Sequence, residues 1–394
     1  MNQRDYSYYE AHAADVSLDE ITSSFYNKVI LQRLRDGDLN SMSIGGNSYW
    51  DKFTIREGDD LGWLGYFIGR SESLQELTIK GWSEDEEGEQ RNIHAIHALS
   101  DGIARNRSIQ NVCVDNLGNA GLDAIFCNLT QLERLTISLY SLNDCVALGN
   151  LLESGVRLKY LSLDNNRNNI GDAGAAALTR GLRCIGSSLK ELHLPYSSIG
   201  DEGLSTLAAA LANCTCLEKL DLSYNDFSTA AGLRSLSDWL QIAAVTLDEL
   251  RLIYCGINDE GLTALAEGAV NNCKEMNLHG NADIGAVGWR NLSISLQSES
   301  CCLESLILTF TWIKDDNAKI LARGLVGNKS LKYLHLFGEE EENGLLSLKY
   351  CVIHPPSTIP TFQTTLSLNS GKARGMKMKI FEKVSVRILS FISS

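Results

Sequence analysis

Residues Leu189–Asn225 read LKELHLPYSSIGDEGLSTLAAALANCTCLEKLDLSYN, and the stretch closes as it opens: LKELHL at Leu189 returns as LEKLDL at Leu217. The last two apolar residues of each hexad flank a polar one, as in Leu192-His193-Leu194, the period-two mark of a short strand with one buried face. Leu204, Leu207 and Leu211 then follow at helical spacing, with alanines between them that permit close approach. Asp201 stands where that helix needs an N-cap, and Asp172, Asp259 and Asp315 hold similar places further along or back. Such a unit cannot bury its leucine face alone. It must stack on copies of itself.

Working outward, the core L-x-x-L-x-L, with other apolar residues substituting, begins at Leu39, Leu74, Ile109, Leu132, Leu158, Leu189, Leu217, Leu247, Cys273, Leu303 and Leu331. The fit is close from Leu158 onward and loose before Leu132. Three residues past the third apolar position come Asn166, Asn225 and Asn281, with Cys255 in that place in the core that starts at Leu247. A buried asparagine there satisfies the backbone of an adjoining turn, which predicts a ladder running through the turns.

These segments, above all LKYLSLDNNRNNIGDAGAAALTRGL, LEKLDLSYNDF and LDELRLIYCGINDEGLTALAEGA, resemble leucine-rich repeats of the ribonuclease-inhibitor type. The resemblance covers residues 39–337, about three quarters of the chain. It implies an α/β solenoid of about eleven repeats, a horseshoe with a parallel inner sheet, outer helices and binding on the concave side. The expected organisation is a helical flank over 1–38, the solenoid over 39–338 and a non-repeat tail over 339–394. In the flank, Ser17 and Glu20 form a capping-box pattern, and the spacing predicts a helix from Leu18 to about Leu34 with Leu18, Ile21, Phe25 and Val29 on one face.

Composition narrows the function classes. The chain has 394 residues, 44% hydrophobic and 21% charged, with four prolines, which is the profile of a folded protein. Thirty-five basic against forty-nine acidic side chains give −14, so a nucleic-acid backbone is not the expected partner. No apolar run approaches the length of a membrane helix and none follows a basic start, so the expected compartment is cytoplasm or nucleus, with no membrane contact required. The acidic stretches Ser83–Glu89 and Glu339–Glu342 read as solvated loops. From Gly371 the tail carries six basic side chains and one acidic, and alternates in MKMKI and VSVRI.

Chemistry-bearing motifs are weak. Cys273 takes a leucine position, Cys216 and Cys302 precede one, and Cys255 falls near a strand end, so the cysteines read as small core residues and no metal or cofactor is expected. The sequons at Asn106, Asn213 and Asn328 each stand before a strand, where asparagine tolerates a left-handed helix end. His94 and His97 read as solvated, and Gly324–Ser330 as a repeat junction rather than a phosphate loop. The exposed strand positions carry more information. Ser162, His193, Asp221, Arg251, Asn277, Ile307 and His335 alternate with buried residues, and Tyr196, Tyr224, Tyr254 and Phe310 follow two residues past the third apolar position, with Gly280 interrupting. Tyrosine beside mixed charge is what protein interfaces enrich, so His193, Tyr196, Asp221, Tyr224, Arg251, Tyr254, Asn277 and Phe310 form the candidate protein-binding set. The expected role is a non-enzymatic scaffold for a protein partner. The alternative is a GTPase activator of the kind the resemblance includes, directed at Ran.

Overall fold

Apolar–polar alternation and parallel stacking of like cores dictate the architecture. In a computed structural model, residues 6–45, 51–55, 61–80, 99–115, 131–163, 170–243, 245–340 and 346–352 are described. The chain divides into two compact units, Met1–Glu191 and Leu192–Ser394.

The first unit holds strands β1 (Ser41–Ile44), β2 (Lys52–Phe53), β3 (Glu76–Lys80), β4 (Asn111–Asp115), β5 (Arg134–Ile137) and β6 (Tyr160–Ser162). They pair in parallel, in the order β2-β1-β3-β4-β5-β6. Strand β2 was not legible from leucine spacing. It fits inside the long interval between Leu39 and Leu74, and Phe53 alone anchors it in the core.

The helix expected from Leu18 to Leu34 is two helices, Leu18–Ile21 and Phe25–Asp36. Ser17 accepts from the Asp19 amide, Ser24 from the Asn27 amide, and the Ser24 amide itself bonds the Thr22 hydroxyl. Short hydroxyl side chains thus compete with the helical backbone and restart it. The restart rotates the second helix: Ile30, Leu31 and Leu34 are buried, while Phe25 and Val29 are exposed. Asn27 fixes this arrangement by bonding both the amide and the carbonyl of Thr54.

The second unit runs β7 (Glu191–His193), β8 (Lys219–Asp221), β9 (Leu247–Arg251), β10 (Cys273–Asn277), β11 (Ser305–Ile307) and β12 (Tyr333–Glu340). The register is kept from strand to strand, as in Leu220↔Leu250, Leu250↔Met276 and Met276↔Leu306. The last strand among the described residues, β13 (Leu346–Val352), turns back antiparallel on β12, so the segment from Glu339 to Glu340 is strand rather than loop. Helices Asp201–Leu211, Ala231–Ile242, Asp259–Asn272, Ala286–Leu296 and Asp315–Leu325 follow the strands and pack on one another in sequence. Leu192, Leu194, Leu220, Leu222, Leu250 and Leu252 are all at most 1% exposed, as the alternation requires. Full burial of one such side chain contributes about 1.5–3 kcal/mol.

The turn ladder is present. Asn225 donates to the carbonyls of Leu194 (2.9 Å) and Leu222 (2.8 Å) and accepts from the amides of Ser197 (3.2 Å) and Ile199 (3.0 Å). Asn281 repeats this with Leu252 and Leu278 as acceptors and Cys255 and Ile257 as donors. At the intervening turn the Cys255 thiol reaches the Leu222 carbonyl at 3.3 Å. Asn166 lies outside the described residues.

Capping departs from the expectation. Asp201 does not cap its own helix, whose N-cap is Gly200. Its carboxylate accepts from the amides of Thr229 (3.0 Å) and Gly232 (2.9 Å), at the start of the next helix. Asp259 likewise accepts from Gly288, while Asn258 caps the Asp259 helix. Helix starts in adjacent units lie side by side, so a carboxylate on one serves the unsatisfied amides of the other. The sequon asparagines also work differently. None of the three has a left-handed backbone. Asn106 donates to the Ile68 and Ser71 carbonyls and accepts from the Ser108 and Ile109 amides. Asn328 makes the matching bonds with Leu296, Ser330 and Leu331, while Asn213 is exposed.

Candidate protein-binding face

The polar residues that alternate with the buried leucines of β7–β12 face away from the helices. Arg251 is opposite both Asp221 and Asn277 in register, and Asn277 is opposite Ile307. His193 Nδ1 and Arg251 Nη1 approach Asp221 Oδ2 at 3.9 and 3.8 Å. Burial of Asp221 works against its charge. The His193 and Ser223 hydrogen bonds and the Arg251 charge outweigh it, and the carboxyl is held below its usual range. Arg251 also pairs with Glu249 of its own strand. Across the sheet Glu249 is opposite Glu275. Burial first, and the neighbouring Glu249 charge after it, push the Glu275 carboxyl up, although a Ser305 hydrogen bond opposes the shift. Like charges directly opposite in a sheet are unfavourable.

One strand position disagrees with the sequence reading. Ser162 is fully buried rather than exposed. It is opposite Thr136 of β5 in register.

The aromatic residues form a continuous row along the strand ends. Tyr196 and Tyr224 stack with ring centroids 4.0 Å apart and 11° between planes, and Tyr224 and Tyr254 stack at 5.4 Å and 26°. The row continues through His279, 5.1 Å from Tyr254, to Phe310 at a further 5.1 Å, and ends on Trp312 at 6.1 Å. Tyr196, Tyr224 and Tyr254 keep 47%, 37% and 45% of their surface exposed, and Trp312 keeps 72%. His279 and Trp312 were missed by sequence reading. The available signal was that His279 is the aromatic residue next to the one ladder position occupied by glycine.

Backbone geometry shows why glycine interrupts. Tyr196, Tyr224, Tyr254 and Phe310 have φ of 52°, 58°, 50° and 57°, the left-handed region, and Gly280 has φ 77° at the equivalent place. A side chain in that region costs about 1–2 kcal/mol. At Gly280 a Cβ would stand 2.5 Å from the Tyr254 ring, so that ring lies over the glycine and His279 takes up the row. Four bulky aromatics therefore occupy positions where glycine would be unstrained. Burial, followed by the hydrogen bond and charge of Tyr196, pushes the Tyr224 phenol up to about 12, so it remains a neutral hydroxyl. Burial lowers His279, which favours the neutral imidazole within the stack.

The cysteines divide by position. Cys145, Cys214, Cys255 and Cys273 are buried, and burial pushes the Cys214 and Cys255 thiols up to about 12. Cys216 and Cys184 are exposed, so the core reading fails for Cys216. Among the described residues no group of three His, Cys, Asp or Glu is placed to hold a metal, and no helix is long and apolar enough to cross a membrane. His94, His97, Ser83–Glu89 and the tail from Gly371 lie outside the described residues.

A sequence profile described as Leucine Rich repeat matches residues 187–208, 213–237 and 244–266. Over 194 residues the chain is 31% identical to the ribonuclease inhibitor of Sus scrofa, covering 49% of this chain and 42% of that protein. Over 310 residues it is 27% identical to NACHT, LRR and PYD domains-containing protein 14 of Mus musculus, covering 75% of this chain and 30% of that protein. The matched region thus spans less than half the length of these curated relatives. A leucine-rich repeat-containing protein from Legionella pneumophila aligns over 88% of this chain and 98% of its own, at 14% identity and a TM-score of 0.46. With a strand followed by a helix at the leucine cores from Leu189 to Leu303, and the repeat profile falling on three successive repeats, this chain carries leucine-rich repeats similar to those of the ribonuclease inhibitors.

Proposed function

We propose that the chain is a non-catalytic scaffold that binds a protein partner across the open face of the sheet in its second unit. The observation that carries this reading is the contiguous aromatic row Tyr196–Tyr224–Tyr254–His279–Phe310–Trp312, partly exposed, stacked through its three tyrosines, and held at left-handed backbone positions at every member except His279. Strain kept where glycine would remove it is a cost that a binding role explains. Aromatic side chains give large contact area with two rotatable bonds each, so fixing them on binding loses little entropy. The flanking His193, Asp221, Arg251 and Asn277 supply the polar border that sets orientation and association rate. The side chains line a row rather than converge on a point, which suits recognition better than bond-making. Curated relatives include proteins named ribonuclease inhibitor, and binding a protein is consistent with that kinship. The cytoplasm is the compartment that goes with this role.

The test is Tyr224→Ala against Glu202→Arg, a change on the outer face of the Asp201–Leu211 helix. The partner, recovered from native extract and identified, is titrated calorimetrically against each variant. Tyr224→Ala should weaken binding by about 2 kcal/mol, roughly thirtyfold in Kd, and Glu202→Arg should leave it unchanged. The reverse pattern would move binding to the helical side.

A further inference from the structure

We infer that the basic segment Gly371–Arg387 of this same chain occupies the open sheet face of the second unit and must be displaced before a partner binds. The inference rests on that face being the binding face.

Three observations meet here. The first is charge. Arg251 gives its guanidinium to Glu249 and Asp221, which leaves Glu275 facing Glu249 across β9 and β10. An incoming cation at that pair relieves a repulsion already present in the fold. From Gly371 onward the chain has six basic side chains against one acidic, while the chain as a whole is at −14.

The second is exit point. Val352, the last residue of β13, is paired with Tyr333 of β12. Tyr333, exposed, continues the row Glu249, Glu275, Ser305 in register. From β12 to Glu275 is two strand steps, about 10 Å. Residues 353–370 extend to at most about 60 Å, so the segment after them reaches any point on the face.

The third is pattern. Met376-Lys377-Met378-Lys379-Ile380 alternates, so in an extended conformation it turns lysines to one flank and apolar side chains to the other. The face is built the same way. A segment crossing the strands over Asp221, Arg251 and Asn277 has the Glu249–Glu275 row on one side and the aromatic row on the other. Lys377 and Lys379 lie about 7 Å apart when extended and the two glutamates about 5 Å apart, a mismatch that flexible lysine stems absorb. Met376, Met378 and Ile380 then meet the exposed ring edges, where thioethers pack well.

The test uses the full chain. Zero-length carbodiimide cross-linking of a mixture of light- and heavy-isotope copies, read by mass spectrometry, should join Lys377 or Lys379 to Glu249 or Glu275 within one copy. Links only to outer-helix carboxylates such as Glu202 and Glu260, links only between copies, or no links from these lysines would each overturn the inference. A second measurement titrates a fluorescent peptide of residues 371–387 into the Lys377→Glu/Lys379→Glu full chain and into the wild type. A tail that occupies the face nine-tenths of the time weakens peptide binding to wild type about tenfold, and adding Glu249→Lys/Glu275→Lys should abolish binding to the variant. Equal affinity for both chains, or binding that survives the glutamate changes, refutes the contact. If the tail links fail while Tyr224→Ala still weakens the partner, only the tail contact falls. If the links form and Tyr224→Ala binds as wild type, the partner reading falls instead.

Discussion

Asn225→Ala should be among the most damaging single changes in the second unit, although it removes only a few atoms. The side chain makes five bonds to buried backbone: three donated, to Leu194, Leu222 and, at 3.4 Å, Ser223, and two accepted, from Ser197 and Ile199. Asn225 itself is 5% exposed, so water does not freely replace it. Truncation strands the Ser197 and Ile199 amides and the Leu194 carbonyl, while the Leu222 carbonyl keeps the Cys255 thiol and the Ser223 carbonyl keeps the Tyr196 amide. Each group left unsatisfied in a buried turn costs about 1–3 kcal/mol, and partial relaxation lowers the sum, so a loss of about 4 kcal/mol is expected. For a folding unit of 150–250 residues that is a fall in Tm of roughly 10 °C. The assay is thermal unfolding by circular dichroism of wild type, Asn225→Ala and Asn213→Ala. Asn213 is the same residue type at an exposed helix end, and its truncation should cost about 0.5 kcal/mol or less. A drop below about 3 °C for Asn225→Ala, or equal drops for the two variants, would refute the claim that this side chain satisfies otherwise stranded backbone.

Three further outcomes follow from the geometry. Asp201→Ala should lower stability by about 1–2 kcal/mol through loss of the Thr229 and Gly232 bonds, and hydrogen exchange should rise first at the start of the Ala231–Ile242 helix rather than in its own; faster exchange in the Asp201–Leu211 helix alone would contradict inter-unit capping. Burial lowers His279 in the fold, so its contribution is fully present above the unfolded value of about 6.5 and is lost as pH falls through the folded value. His279→Gln should therefore flatten the acid side of a stability–pH profile, and an unchanged profile would place the titration elsewhere. As a binding scaffold the protein should not accelerate GTP hydrolysis by a Ran-type GTPase in a single-turnover assay; acceleration of about 10³-fold or more is the activator scale and would overturn the non-catalytic reading.

Much of the candidate site was legible because its spacing is local. His193, Asp221 and Arg251 lie between leucines that must be buried, so strand alternation alone put them on the open face. Tyr196, Tyr224, Tyr254 and Phe310 share one offset from the third apolar residue, and equal offsets on parallel strands in register become a row. His279 and Trp312 share no such offset. They join the row because the Tyr254 ring lies over Gly280 and because Phe310 and Trp312 both take left-handed backbone, which are facts of packing.

The sequence by itself determined the repeat: that a strand forms at each leucine core, which leucines are buried, and that Asn225 and Asn281 serve the turns, whereas β2 and β13 lie outside any core. Those properties depend on period and polarity, which the chain carries within a single unit. Tertiary structure alone decided the relations between units and the fate of short side chains. It assigned Asp201 and Asp259 to cap the following helix, because neighbouring helix starts come together only after stacking. It split the expected Leu18–Leu34 helix at Thr22–Ser24, where hydroxyls outcompete helical amides and Asn27 bonds Thr54 from another segment. It buried Ser162 and left Cys216 exposed, because a small side chain takes the exposure its neighbours leave it.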